Sequence, residues 1–191
     1  MAKKILLIDC FDSFTFNLKH YIEQFCDVDV KRIDLLDISL VSNYDAIVLS
    51  PGPQLPSNYP KLNLILSKFA KEIPILGVCL GMQAIGEYFG GNLVNMKSVK
   101  HGLSEPLFHV DESSNLFKGF HSEVLVARYH SWIIEDSNKM NNVFKITSRS
   151  QAGEMMSIEH KVLPIYGVQF HPESIMTPQG LKLIENWVST L

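Results

Sequence analysis

Short, unbroken apolar runs constrain this chain more than any other feature. Lys4 to Asp9, Asp45 to Leu49, Ile73 to Val78 and Ile165 to Phe170 are runs of this kind, with Asp29 to Ile33 a further short strand. A strand buried on both faces has no polar side to alternate with, so such runs point to the interior of a parallel sheet. Helical patterns lie between them. Phe14, Leu18, Tyr21, Ile22 and Phe25 recur at helical spacing, with Asp12 or Ser13 placed to cap. A second helix is expected from about Lys61 to Lys71. A third runs through Tyr88 and ends at Gly90-Gly91. Strands alternating with helices predict an α/β fold: a mostly parallel open sheet with helices on both faces.

The second half reads differently. From Asn92 to Tyr166 the strand-like stretches are short and separated by turn residues. They are Leu107 to Val110, Val124 to Tyr129, Val143 to Ser148 and Met155 to His160. This predicts an antiparallel β element added to the parallel sheet. A last helix opens at Thr177 or Pro178, with Leu181, Ile184, Trp187 and Val188 on one face. At ~150 residues per domain, 191 residues are expected to form a single domain over 1–191.

Composition narrows the function classes. With 46% hydrophobic and 19% charged residues the chain can bury a core. A net charge of −3 argues against a nucleic-acid binder. The nearly apolar stretch Ile73 to Met82 is too short to span a bilayer. Met1-Ala2-Lys3-Lys4 followed only by Ile5 to Ile8 is too short for a signal peptide. Cys10, Cys26 and Cys79 are odd in number and far apart, which is no disulfide framework. The expectation is a cytoplasmic protein.

Gly77-Val78-Cys79-Leu80-Gly81 has the form G-x-C-x-G where a strand gives way to a helix. Serine hydrolases place a nucleophile on such a turn, with glycines where backbones come close. A thiol there sits at a helix N-terminus, which favours thiolate. The amide of Leu80 would point at a developing oxyanion. Taken alone, the pentapeptide is equally a buried structural cysteine beside packing glycines. Phe170-His171-Pro172-Glu173 supplies the complement. Pro172 restricts His171 to an extended backbone, and residues two apart on an extended segment project the same way, so Glu173 is expected to reach His171. Cys79, His171 and Glu173 then have the types needed for nucleophile, base and orienter. Gln83 lies one helical turn beyond Cys79. Ser50-Pro51-Gly52-Pro53 follows another parallel strand, and the Gly52 amide is a candidate second oxyanion donor. By themselves, Gln83 reads readily as a surface glutamine, and the Ser-Pro-Gly-Pro loop is better read as an ordinary turn.

Together these segments resemble the class I (triad) glutamine amidotransferases. The match is carried by Gly77 through Gly86 and by Tyr166-Gly167-Val168-Gln169-Phe170-His171-Pro172-Glu173-Ser174. Within that family the chain looks like the small subunits of anthranilate synthase and aminodeoxychorismate synthase. Asp9 through Asn17, Ala127 through Ser131, and His171 through Thr177 carry this narrower likeness. The resemblance implies glutamine hydrolysis through a Cys79 thioester. His171 would move the proton, Glu173 would orient His171, and the Gly52 and Leu80 amides would hold the oxyanion. It implies that Gly52, Pro53, Gln54, Gln83, Ser131 and Trp132 hold the glutamine. It also implies no cofactor in this chain, a chorismate-binding synthase subunit as partner, and Mg2+ on that partner. The length fits a free-standing subunit with no synthetase domain attached. The segment from Asp12 to Thr15 is expected near the synthase interface.

Two residues depart from the family pattern. Gln54 stands where Ser-Pro-Gly-Pro is usually followed by glycine, and would be strained if the position needs positive φ. Met82 stands where these small subunits commonly have histidine. His130 beside the pocket is read as a packing or hydrogen-bonding histidine without a catalytic role. His20, His101, His109, His121 and His160 lack metal-ligand spacing. Two alternatives remain: a free-standing Cys-His-Glu hydrolase of γ-glutamyl compounds, and a catalytically inactive regulatory subunit.

Overall fold

The computed structural model describes residues 3–121 and 123–191. Met1 and Ala2, the start of the segment read above for a leader, lie outside the described residues. The elements in chain order are β1 (Lys4–Asp9), α1 (Thr15–Ile22), β2 (Asp27–Arg32), β3 (Ala46–Leu49), α2 (Pro60–Phe69), β4 (Ile75–Val78) and α3 (Leu80–Tyr88). Then come β5 (Leu93–Pro106), β6 (Leu125–Ile134), α4 (Asn138–Val143), β7 (Phe144–Arg149), β8 (Met155–His160), β9 (Ile165–Val168) and α5 (Gly180–Val188).

Seven strands form one sheet in the order β2-β1-β3-β4-β9-β8-β7. The first five are mutually parallel, and β8 and β7 continue the sheet antiparallel. The unbroken apolar runs are explained by what lies on each face. In β1, Leu6 and Ile8 join a core with Leu62, Ile65 and Leu66 of α2 and Ile85 of α3. Ile5 and Leu7 join the opposite core with Leu18 and Ile22 of α1 and Trp187 of α5. Successive side chains of one strand therefore feed two cores, and both must be apolar.

The antiparallel element is two elements. β7 and β8 extend the main sheet, whereas β5 and β6 pair as a separate two-stranded ribbon. The expected strand at Leu107 to Val110 is not one: Phe108 makes only an isolated bridge to Arg149. The strand lies just before it, as the long β5. Its Asn, Lys, Ser, His and Gly residues break any apolar alternation, and its pairing shifts register between Asn95 and Lys100 and between His101 and Leu103. Gly102 adopts φ 68° at the second shift. The start of α1 also differs from expectation. Its cap residue is Phe14, with no side-chain capping bond. Asp12 instead accepts from the Phe14 amide at 2.8 Å, and Asp9 accepts from the Thr15 hydroxyl at 2.9 Å. No helix among the described residues is long and apolar enough to cross a membrane.

Candidate active site

β4 and β9 run side by side, with Gly77 opposite Gly167. Cys79 follows β4 directly and donates its amide to the Val168 carbonyl at 2.7 Å. Its backbone has φ 52° and ψ −102°, a conformation that side chains rarely adopt. The flanking glycines make this turn possible. A Cβ on Gly77 would lie 2.5 Å from the Gly81 carbonyl carbon, and one on Gly81 would lie 2.3 Å from the Leu49 oxygen. The Cys79 carbonyl accepts from the Gln83 amide at 3.1 Å, so α3 begins at the nucleophile position. Leu80 is the first residue of α3, and its amide is one that no helix carbonyl can reach.

His171 and Glu173 are buried, and Nδ1 of the ring meets Oε1 of the carboxylate at 2.7 Å. The path by which Glu173 reaches His171 is not the expected one. β9 ends at Val168, and the chain folds into a turn in which the Ser174 amide donates to the His171 carbonyl at 3.3 Å. The pair therefore closes within a turn rather than along an extended strand. The turn is fastened from outside. The His171 amide donates to the Ala127 carbonyl of β6 at 3.0 Å. The Thr177 hydroxyl donates to the His171 carbonyl at 2.7 Å and accepts from the Ala127 amide at 2.9 Å. Gly180 lies beneath it, since a Cβ there would fall 1.7 Å from the Pro172 oxygen.

Glu173 occupies Nδ1, so His171 meets Cys79 through Nε2. That nitrogen makes no hydrogen bond of good geometry to any described residue, although the two side chains are close enough to influence each other's charge. Burial, the largest influence, opposes imidazolium. Cys79 and Glu173 together outweigh it and hold His171 well above the ordinary histidine range. The site thus favours a proton on the ring facing the sulfur.

Cys79 opens on a cavity of about 150 Å³ lined by Gly52, Pro53, Gln54, Leu80, Gln83, Tyr129, His130, Ser131 and Trp132 as well. Every residue that the resemblance assigned to glutamine and oxyanion binding is on this wall. The Ser50 hydroxyl anchors the loop carrying Gly52 by accepting from the Cys10 amide at 2.9 Å and donating to the Pro51 carbonyl at 2.6 Å. Gln54 adopts φ 68°, the left-handed conformation expected of the glycine it replaces. Met82 points away from the cavity: it is wholly buried and packs on Gly167. A second cavity, of about 370 Å³, is bounded by Phe14, Tyr129, His101, Cys79 and His171. Asp12 and Ser13, from the segment expected near the synthase interface, also border it. A further cavity, of about 650 Å³ between α2 and α3, has neither Cys nor His in its lining.

Sequence reasoning missed a buried polar chain behind this wall. Arg128, only 1% exposed, donates from Nη1 to Glu105 at 2.7 Å, from Nη2 to Glu154 at 2.6 Å and from Nε to His130 Nε2 at 3.2 Å. His130 Nδ1 lies 3.1 Å from the Trp132 carbonyl. A carbonyl only accepts, so Nδ1 carries the proton and Nε2 is free to accept from Arg128. Burial first, then the Arg128 charge, push His130 down to about 4. It stays neutral near pH 7 and links Arg128 to the Trp132 carbonyl by hydrogen bonds. Arg128 and His130 were visible in the Ala127–Ser131 segment, but Glu105 and Glu154 lie on other elements and nothing in spacing links them.

A strained cysteine elbow at the carboxyl end of a parallel sheet, with a buried His–Glu pair and a small polar pocket, defines a cysteine-nucleophile hydrolase or transferase. The chain belongs to the class-I glutamine amidotransferase family, whose model matches residues 6–191. It is 38% identical over 189 residues to the aminodeoxychorismate/anthranilate synthase component 2 of Bacillus subtilis, covering 97% of this chain and 96% of that one. It is 38% identical over 194 residues to the bifunctional protein TrpGD of Thermotoga maritima, covering 99% of this chain but 32% of that longer one. The crystal structure of a putative GMP synthase subunit from Thermoplasma acidophilum superposes with a TM-score of 0.87 at 28% identity, over 99% of this chain and 94% of that one.

Proposed function

We propose that the chain is the glutaminase subunit of a chorismate-aminating synthase. The observation that carries this is the buried His171–Glu173 pair, at 2.7 Å, facing Cys79 at the mouth of the polar cavity. The Cys79 proton passes to His171 Nε2, and the sulfur attacks the side-chain amide carbon of glutamine. The oxyanion is held by the amides of Leu80 and Gly52, and losing one such donor typically costs ~10²–10³ in rate. His171 returns the proton to the leaving nitrogen, ammonia departs, and a γ-glutamyl thioester remains. Water, deprotonated by His171, then releases glutamate. The ring keeps its orientation because Glu173 holds Nδ1. Both amide protons of Gln83 are committed to Trp132 and Gln169, so only its carbonyl oxygen is left for the substrate.

Ammonia passes to a chorismate-binding partner subunit before it can protonate in bulk water, giving anthranilate or 4-amino-4-deoxychorismate. The chain itself supplies no cofactor in this scheme, and any Mg2+ resides on the partner. The name of the Bacillus subtilis relative spans both products. The test is glutamate release by the purified chain alone and with each candidate partner plus chorismate. Strong stimulation by one partner is expected. Cys79→Ser is expected to abolish glutamine-dependent amination while ammonia-dependent amination by the partner persists. Equal loss of both would overturn the proposal.

A further inference from the structure

One buried side chain touches the reacting sulfur and has no role in the scheme above. Gln169 lies in the bend after β9, wholly buried, and its Nε2 is 3.6 Å from Cys79 Sγ. The direction of this bond is not arbitrary. The Trp132 carbonyl can only accept, so Gln83 must turn its nitrogen to it, at 2.9 Å. The same Gln83 nitrogen then donates to Gln169 Oε1 at 3.2 Å. With its oxygen fixed by that donor, Gln169 must present its NH2 to the sulfur. His130 secures the far end of the chain by donating to the Trp132 carbonyl, and Arg128 in turn donates to His130. The orientation at Cys79 is thus set by a run of groups that ends in the ion pairs of Arg128.

We propose that Gln169 is a fourth working residue of the site, an amide donor that stabilises the Cys79 thiolate, with Gln83 its positioning residue. This rests on Cys79 being the nucleophile. The bond matters twice in the cycle. Before attack it favours the sulfur that has given its proton to His171. When the thioester breaks, the C–S electron pair returns to sulfur, and the Gln169 N–H is already in place to receive that charge. Donation to a thiolate also lowers its intrinsic nucleophilicity, though only by a fractional power of the basicity change, so the gain in thiolate population wins. A hydrogen bond to a charged group is roughly twice as strong as one between neutral groups.

The test reads Cys79 directly, without glutamine. Iodoacetamide labelling of the Cys79 peptide is followed against pH by mass spectrometry in the wild type and in Gln169→Met, which keeps the length but removes the donor. Cys10 and Cys26 are internal controls, because burial pushes their thiols up to about 12 and about 11. The labelling curve of Gln169→Met is expected to move alkaline by about one pH unit, or about tenfold in rate near pH 7. Glutaminase kcat should fall with KM nearly unchanged. Gln169→Glu, an acceptor of the same shape, should be worse than Met. If Met does not fold, Gln169→Asn carries the same expectation, because its amide is one carbon short of the sulfur. An unshifted labelling curve, or a loss confined to KM, overturns the role of Gln169. Failure of wild-type Cys79 to label at all overturns the nucleophile assignment itself, and that outcome is distinguishable from the first.

Discussion

Two single positions show how narrowly the elbow is built. A methyl group on Gly81 would lie 2.3 Å from the Leu49 carbonyl oxygen and 2.7 Å from its Cβ, both on the buried strand β3. No flexible side chain can yield there, so the strand or the helix must move. Gly81→Ala is expected to cost about 3 kcal/mol in urea unfolding and to displace Cys79 enough to abolish activity. Gln54 is the converse case. It is exposed and left-handed at φ 68°, so it bears a backbone cost with no packing in return. Gln54→Gly removes that strain but adds entropy to the unfolded chain. A net gain of about 0.5 kcal/mol is expected from urea midpoints. The other departure, Met82, fills the space that Gly167 leaves beneath the elbow and does not reach the substrate cavity.

At the scale of elements, the His171 turn depends on β6 rather than on its own strand. Thr177 bridges the two, donating to His171 O and accepting from Ala127 N while almost fully buried. Thr177→Val keeps the shape and leaves two buried polar groups without this partner. A loss of about 2 kcal/mol in unfolding free energy is expected, with a fall in kcat because His171 is then held to Ala127 only by its own amide bond to the Ala127 carbonyl. This link also shows where the sequence could be read and where it could not. Strands β1, β3, β4 and β9 were legible because burial on both faces forces unbroken apolar runs. Cys79, His171 and Glu173 were legible because each lies in a short local motif. β5 was not, since a ribbon with register shifts needs no regular alternation. The Arg128 network was not, since Glu105, Arg128, His130 and Glu154 meet only after β5, β6 and the β7–β8 turn are brought together. Gln169 lay in view within the His-Pro-Glu segment. Its signal was a polar amide ending an apolar strand, but its partner Cys79 is 90 residues away.

For the whole molecule, two buried histidines give stability opposite dependences on pH. His171 is held above its unfolded value, so its contribution is complete below about 6.5 and is lost as pH rises through the raised folded value. His130 is depressed to about 4, chiefly by burial and then by Arg128. Between about 6.5 and 4 the unfolded chain takes up a proton at His130 that the native chain refuses, so native stability falls as pH falls. Protonation in place would put imidazolium against the Arg128 guanidinium, whose Nε donates to that same ring. From pH 7 to pH 5 the expected loss from His130 is about 2 kcal/mol, from about 1.5 units at about 1.36 kcal/mol each. His130→Gln, which cannot titrate, should lose correspondingly less between the same two pH values, whatever its stability at pH 7. Urea midpoints of both proteins at pH 7 and pH 5 measure the difference. Equal losses would mean that His130 does not carry the acid sensitivity over this range, and would turn attention to His160, which burial also holds below its ordinary value.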